Sequence, residues 1–308
     1  MIGHLTSRGH LPGFEGATGW LNSPPVTPEE LRGKVVLVDF WTYTCINWLR
    51  TLGYVRAWHE KYGDRGLVVV GVHTPEFPFE HDVDNVREAA KEMGVEYPVA
   101  LDNDYAVWRA FDNNYWPAVY IADGEGRIRF HHFGEGAYEE SERAIQELLG
   151  VDDGLVSVAD EGFEAQADLA NLESPETYLG AEQAQSFTGF DESILRLNHW
   201  ALSGDWTIGG RASVLNGAEG AILFRFHARD VNLVMGPPER GTDVAFRVLV
   251  DGEPPGAAHG LDVDEEGHGT LSQQRLYQLI REPGSIADRT FEIGFEAPGV
   301  EAYCFTFG

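Results

Sequence analysis

Cysteine is scarce in this 308-residue sequence, which contains only Cys45 and Cys304. The two lie in different predicted domains, and this excludes a fold held together by a disulfide framework of the kind that small secreted proteins use. Long apolar runs are absent too, because no stretch of about 18 apolar residues occurs and residues 1–30 lack the apolar core of a signal peptide. We therefore expect a soluble, cytoplasmic protein that makes no membrane contact.

Basic side chains are also few. The sequence has 22 Lys and Arg against 50 Asp and Glu, which gives a formal net charge of -28. A charge of this size repels phosphate backbones and anionic membrane surfaces, so nucleic acid is excluded as a partner. The acidic excess is typical of a protein that stays soluble in a crowded or salty cytoplasm.

The first half of the chain has the pattern of a mixed α/β domain. Short apolar runs alternate with stretches of helical periodicity, as in a sheet with crossover helices, and the last two runs are joined by a hairpin turn at 123–126. We predict strands at 34–40, 67–72, 98–101, 118–122 and 127–133, and helices at 46–62, 83–93, 105–111 and 138–149.

The second half has the pattern of an all-β domain. Strand-like runs separated by Gly, Pro and Asp turns, with little helical periodicity, indicate an antiparallel β-sandwich or jelly roll. We predict strands at 221–226, 231–235, 244–250, 275–280 and 290–295. The chain is thus divided into an α/β domain at 1–152, a linker at 153–174 and a β-sandwich at 175–308.

Cys45 is the first candidate catalytic residue. It follows the first predicted buried strand and precedes the first long helix, so exposed backbone N–H groups and the helix dipole favour its thiolate. A cysteine at such a junction is nucleophilic, whereas an inert buried cysteine is the structural alternative.

Six segments carry a resemblance to known proteins: FWTYTCINWLR at 40–50, GVHTPEF at 71–77, YWPA at 115–118, FHHFGEG at 130–136, PETYLG at 175–180 and GVEAY at 299–303. The first four resemble thioredoxin-like proteins of the TlpA and redoxin type, and most of all the soluble C-terminal region of the DipZ thiol:disulfide interchange proteins. The last two resemble the β-rich module of those proteins, which has been likened to carbohydrate-binding jelly rolls.

The resemblance implies roles for individual residues. Cys45 matches the attacking cysteine of the family motif Cys-Ile-Asn-Cys, and Pro117 matches a cis-proline that faces the active site. Trp48 stands where the family has its second, resolving cysteine. We expect the catalytic residue to be Cys45 and the substrate to contact Trp41, Thr44, Trp48, Glu76, Trp116 and Pro117.

The indole at position 48 leaves two interpretations of the site. Disulfide exchange by a dithiol needs an internal thiol to release the substrate, and Trp48 cannot supply it. One helical turn from Cys45, the ring either covers the sulfur and makes it inert or forms an apolar wall that selects flat or apolar substrates. Cys304 is either a distant resolving thiol or a small buried residue of the last strand.

Other side chains have both a functional and a structural interpretation. Glu76 is either a proton acceptor for Cys45 or a solvated loop acid. Thr42 has the position of the peroxiredoxin threonine, although the proline of that pattern is missing. Aromatic residues of the β domain either stack on sugar rings or belong to its core. These aromatic residues are Tyr178, Trp200 and Trp206.

The histidines do not predict a metal site. His131 and His132 alternate along a strand and therefore point to opposite faces. His73 and Cys45 both lie at strand ends, but their spacing matches no zinc signature. We expect neither a metal nor a cofactor.

Three functional hypotheses remain. In the first, Cys45 attacks a protein or small-molecule disulfide, or is oxidised by a peroxide, and an external low-molecular-weight thiol regenerates it. In the second, the protein has lost catalysis and binds a peptide in the groove beside Cys45, Trp48 and Pro117, while its β domain binds a glycan or a protein partner. In the third, Cys45 acts on a small organic substrate in a pocket shaped by Trp48.

Overall fold

The computed structural model describes residues 9–159, 161–189 and 195–308. The chain divides into two compact units, Met1–Ala165 and Gln166–Gly308, and the boundary falls inside the predicted linker. No helix in the described part of the chain combines the length and apolarity needed to cross a membrane.

The first unit is a six-stranded mixed sheet with helices. The strands follow the order β1-β4-β3-β2-β5-β6, in which β2, β3 and β4 are parallel and β1, β5 and β6 pair antiparallel to their neighbours. The predicted thioredoxin-like α/β fold is confirmed. The strands are β1 (Gly19–Leu21), β2 (Val35–Trp41), β3 (Leu67–His73), β4 (Val99–Leu101), β5 (Ala118–Ala122) and β6 (Ile128–Phe133). The helices are α1 (Pro28–Leu31), α2 (Ile46–Tyr62), α3 (Val83–Glu92), α4 (Ala106–Ala110) and α5 (Tyr138–Leu149).

The candidate site lies where β2 ends and α2 begins. All seven residues of β2 are buried, as in a central strand covered on both faces. On one face of the sheet, the rings of Phe40 in β2 and Tyr120 in β5 pack with Phe111 in a buried cluster. Helix α2 buries a second set of large side chains, among them Trp48 and Trp58. The end of β2 and the start of α2 are therefore held between two packed layers.

The second unit is all-β, as predicted. Its strands form one antiparallel sheet in the order β12-β11-β14-β9-β15-β10-β13, with β7 on β15 and β8 on β9. The strands are β7 (Thr177–Tyr178), β8 (Trp200–Ile208), β9 (Ser213–Phe226), β10 (Asp230–Gly236), β11 (Val244–Val250), β12 (His268–Leu271), β13 (Arg275–Arg281), β14 (Arg289–Phe295) and β15 (Glu301–Phe307).

The long strand β9 curls this sheet around a single core. Its C-terminal part pairs with β14 and its N-terminal end pairs with β15. The rings of Phe246 and Tyr277, on strands near opposite ends of the strand order, lie 6.2 Å apart. The ring centroids of Phe224 in β9 and Phe305 in β15 lie 5.1 Å apart in the same core. The two halves of the sheet thus pack face to face, as in a sandwich.

The aromatic residues considered for sugar stacking lie mostly in that core. Trp200 is fully buried and Trp206 is 7% exposed, so their core interpretation is confirmed. Tyr178 is half-buried. Cys304 is 1% exposed in β15, where a small buried residue was one of the two expectations. Neither Cys45 nor Cys304 takes part in a disulfide.

Candidate active site

Cys45 lies at the N-cap of α2, directly after the turn that follows β2. Its backbone N–H donates to the carbonyl of Thr42 at 3.2 Å, and its own carbonyl accepts from Leu49 at 3.0 Å, which begins the helix. The side chain is partly exposed, and its Sγ lies 3.8 Å from the carbonyl oxygen of Trp116. A thiol in this position benefits from the positive end of a 17-residue helix.

The loop that faces Cys45 is built around Pro117. The Trp116–Pro117 peptide bond is cis, as the resemblance implies. The carbonyl of Pro117 accepts from Gly134 at 2.8 Å, while Trp116 Nε1 donates to the carbonyl of Thr74 at 3.1 Å. The rings of Trp116 and Trp108 lie 4.3 Å apart. These contacts hold the loop from both sides and fix the carbonyl that Cys45 approaches.

Trp48 points into the interior. Its side chain is fully buried, stacks on Trp41 with ring centroids 4.4 Å apart, and donates from Nε1 to Asp39 Oδ2 at 2.9 Å. The ring therefore does not form an apolar wall at the protein surface. It also does not cover the Cys45 side chain, which is partly exposed. Trp48 is a core residue beneath the site.

Asp39 is a buried carboxyl group that the sequence analysis missed. Burial raises its pKa to about 7, against the opposing effect of hydrogen bonds from Trp48 and from the Tyr97 hydroxyl. Oδ1 has no hydrogen-bond partner among the described residues. An acid inside an otherwise apolar strand, KVVLVDFW, was the signal that would have found it.

Glu80 is a second buried carboxyl group that the sequence analysis missed. It accepts from the Thr44 hydroxyl at 2.6 Å and from the backbone N–H groups of Glu76 and Phe77 at 2.6 and 2.9 Å. Burial raises its pKa, although these donors oppose the rise. Because Thr44 directly precedes Cys45, Glu80 helps to fix the backbone there. No local pattern in the sequence marked it, because one of its partners, Thr44, lies 36 positions away.

His73 is enclosed by aromatic rings. Trp41 meets it edge to face at 4.8 Å and Tyr43 stacks on it at 5.9 Å. Burial lowers its pKa to about 3, and the nearby His81 adds to this effect, so the ring is neutral near pH 7. In the described ranges, no group of three or more His, Cys, Asp or Glu side chains is arranged to hold a metal ion.

The predicted site residues divide into two layers. Trp41, Thr44 and Trp48 are 0%, 1% and 0% exposed, so they support the site from within. Trp116 and Glu76 are half-buried, and Pro117 is buried within the loop. The carbonyl oxygen of Trp116 contacts the Cys45 sulfur directly.

Two family models match the chain. Residues 11–149 match the Redoxin model and residues 174–308 match the model described as thioredoxin like C-terminal domain. The thiol-disulfide oxidoreductase YkuV of Bacillus subtilis is 33% identical over 143 residues, which cover 46% of this chain and 95% of that protein. The chain belongs to the redoxin family of thioredoxin-like proteins.

This redoxin is also similar to longer proteins. DipZ of Mycobacterium bovis is 36% identical over 320 residues, which cover 99% of this chain and 44% of DipZ. The chain therefore spans less than half the length of the DipZ proteins that it matches. The chain is also similar to the solution structure of a thioredoxin-like protein in the oxidized form. The alignment covers 47% of this chain and 98% of that protein, at 32% identity and a TM-score of 0.43.

Proposed function

We propose that this redoxin is a monothiol disulfide oxidoreductase in which Cys45 is the sole catalytic sulfur. The observation that carries the proposal is the partly exposed thiol at the N-cap of α2, 3.8 Å from the Trp116 carbonyl and next to Pro117. The similarity to YkuV, a thiol-disulfide oxidoreductase by name, supports the same reaction type. Trp48 in the position of the resolving cysteine makes it a monothiol reaction.

The reaction proceeds by two kinds of exchange at one sulfur. The Cys45 thiolate attacks a substrate disulfide, a Cys45–substrate S–S bond forms, and the other substrate sulfur leaves as a thiolate. An external thiolate then attacks Cys45 Sγ and releases the second substrate sulfur. A second external thiolate attacks the external sulfur, frees Cys45 and completes an external disulfide. The substrate gains two electrons, which two external thiols lose.

The experiment follows the fate of the mixed disulfide. The native chain, Trp48→Cys and Cys45→Ser are each treated with one equivalent of hydroxyethyl disulfide, and intact masses are followed over time. In the native chain the mixed disulfide persists until external thiol is added, because no side chain at position 48 can attack it. In Trp48→Cys it decays to an internal disulfide, and in Cys45→Ser it does not form. A mixed disulfide that resolves in the native chain without external thiol would refute the monothiol mechanism.

A second function, binding without catalysis, is favoured by the tryptophan at position 48 of the native chain. The stacking of Trp48 on Trp41 and its bond to Asp39 give the position a structural role in place of a chemical one. A native chain that forms no mixed disulfide, alongside a Trp48→Cys variant that exchanges disulfides, would support this function over the first.

A further inference from the structure

A cavity opens in the first unit at the end of the sheet opposite Cys45. It lies between the segment 10–14, helix α1 and the hairpin turn at 124–126, and its volume is about 430 Å³, within the range of small-molecule sites. Val36, near the start of β2, is one of its lining residues. The other end of that strand, which Cys45 follows, is roughly 16 Å away. We call this cavity the distal pocket.

Backbone hydrogen bonds hold the three walls of the distal pocket together. The N–H of Leu11 donates to the Gly126 carbonyl at 2.7 Å, and the N–H of Gly33, just after α1, donates to the Gly124 carbonyl at 2.9 Å. Gly124 is needed at this meeting point, because a Cβ there would lie 3.1 Å from the Cα of Gly33. The pocket is therefore preformed, and a ligand does not have to order its walls.

The interior of the distal pocket is apolar. Phe14 is 7% exposed and Val36 is 1% exposed, and both belong to the buried core cluster on this face of the sheet. Leu11 and Leu31 pack against the same cluster and are partly exposed. An apolar group that enters the pocket therefore lies against the core of the unit and leaves water, which is favourable.

The rim of the distal pocket carries a cation. Arg32 is exposed, and within the described ranges no acidic side chain forms an ion pair with it. Glu125, the acidic residue of the lining, already pairs with Arg127 at 2.7 Å. The net charge of the chain is spread over its whole surface, and exposed charges more than about 8 Å away are largely screened at physiological ionic strength. A carboxylate at the rim therefore has an available guanidinium, which can bind it through two parallel hydrogen bonds.

We propose that the distal pocket binds a small organic acid, with its carboxylate on Arg32 and its apolar body against Phe14, Leu31 and Val36. The lining selects an apolar body, and the guanidinium selects a carboxylate over a hydroxyl or an ammonium group. Because the pocket and the Cys45 thiol lie at opposite ends of β2, this ligand site is separate from the proposed redox reaction. The inference does not depend on that reaction.

The experiment uses three probes that share an eight-carbon chain and differ in the head group: octanoate, octanol and octylammonium. Isothermal titration calorimetry measures their dissociation constants for the native chain, for Arg32→Gln and for Lys34→Gln. Lys34 is the matched control, because it is an exposed cation two positions from Arg32 and does not line the pocket. A further variant, Leu31→Trp, fills the pocket with a larger side chain.

The native chain should bind one octanoate, and should bind it more tightly than octanol or octylammonium. Arg32→Gln should weaken octanoate binding about ten-fold, the order of one charge-assisted hydrogen bond, and leave octanol binding unchanged. Lys34→Gln should bind octanoate like the native chain. Leu31→Trp should bind neither octanoate nor octanol, because its indole occupies their place.

Several results would overturn the proposal. A dissociation constant above about 1 mM for octanoate in the native chain would show that the pocket is not such a site. Equal weakening by Arg32→Gln and Lys34→Gln would show a general effect of charge, and full binding to a folded Leu31→Trp would place the ligand elsewhere. A native dimer that octanoate dissociates would make a second copy the occupant. If Leu31→Trp does not fold, judged by circular dichroism, the comparison of Arg32→Gln with Lys34→Gln still decides.

Discussion

At the scale of single residues, Asp39 and Trp48 form a buried hydrogen-bonded pair beneath Cys45. In the mechanism that we propose, Trp48 stands in the position of the resolving cysteine. Its indole N–H donates to a carboxyl group that is fully buried in β2. The ring lies in the interior, and the side chain of Cys45 is partly exposed.

The pKa of Asp39 predicts how stability depends on pH. Its value rises from 3.8 to about 7 on folding, so the protonated carboxyl stabilises the native state fully below about pH 4. That contribution is lost as the pH rises through about 7. Asp39→Asn cannot ionise, so its free energy of unfolding relative to the native chain should rise by about 2–4 kcal/mol over this window.

Urea unfolding at several pH values, followed by tryptophan fluorescence, measures this difference. Asp104→Asn is the control, because Asp104 is an exposed aspartate of the same unit. The free energy of unfolding of Asp104→Asn should change with pH in the same way as that of the native chain. A parallel curve for Asp39→Asn as well would show that the Asp39 carboxyl does not change its charge in this window.

Cys45 and Pro117 were predictable from the sequence, whereas the carboxyl groups were overlooked. A strand-to-helix junction and a motif are local patterns. The link between Glu80 and Thr44 joins residues 36 positions apart, and no local pattern contains it. Glu76, which we predict to contact the substrate, lies in the same loop, and its N–H donates to Glu80.

At the scale of elements, an ion pair joins α2 to the loop behind Pro117. Arg50 Nη1 donates to Glu135 Oε1 at 3.1 Å, and the two side chains are 1% and 19% exposed. Gly134, next in the chain to Glu135, donates to the Pro117 carbonyl. The pair therefore connects the helix that carries Cys45 to the loop that faces it.

Arg50 is more deeply buried than Glu135, so replacing one or the other should lower the free energy of unfolding by different amounts. Glu135→Gln leaves the buried Arg50 charge unpaired and should lower the free energy of unfolding by about 3 kcal/mol. Arg50→Met should cost less, about 2 kcal/mol, because burial already raises the pKa of Glu135 and this carboxyl group can take up a proton once Arg50 is gone, whereas Arg50 cannot lose its charge. Urea unfolding measures both, with Arg50→Met/Glu135→Leu as the variant that removes both charges. A larger cost for Arg50→Met would contradict this assignment.

The strength of the local sequence pattern decided whether an element was predictable. Strand β2 and helix α2 were predicted within one residue, since a buried run and a long helix ending before Gly63 are strong patterns. Strand β1 and helix α1 have three and four residues, too few for any periodicity. In β9 only the apolar end was predicted, because Gly217 and its polar neighbours interrupt the pattern.

At the scale of the whole molecule, each of the two units contains one thiol. Cys45 is partly exposed at a helix terminus, and Cys304 is 1% exposed in a β-strand. Both units match a family model, and the two-domain composition was predictable because helical periodicity stops after the first unit. The way in which the sheet of the second unit curls on itself was not predictable, since it depends on pairing between strands far apart in the sequence.

Peptide-mapped mass spectrometry after brief treatment with one equivalent of hydroxyethyl disulfide near neutral pH tests the central claim most directly. Cys304 is the internal comparison, because its reaction requires opening of β15. The account predicts a mixed disulfide on Cys45 that forms at least about a hundred-fold faster than any on Cys304. An unmodified Cys45, or a Cys45–Cys304 bridge, would contradict a monothiol mechanism at Cys45.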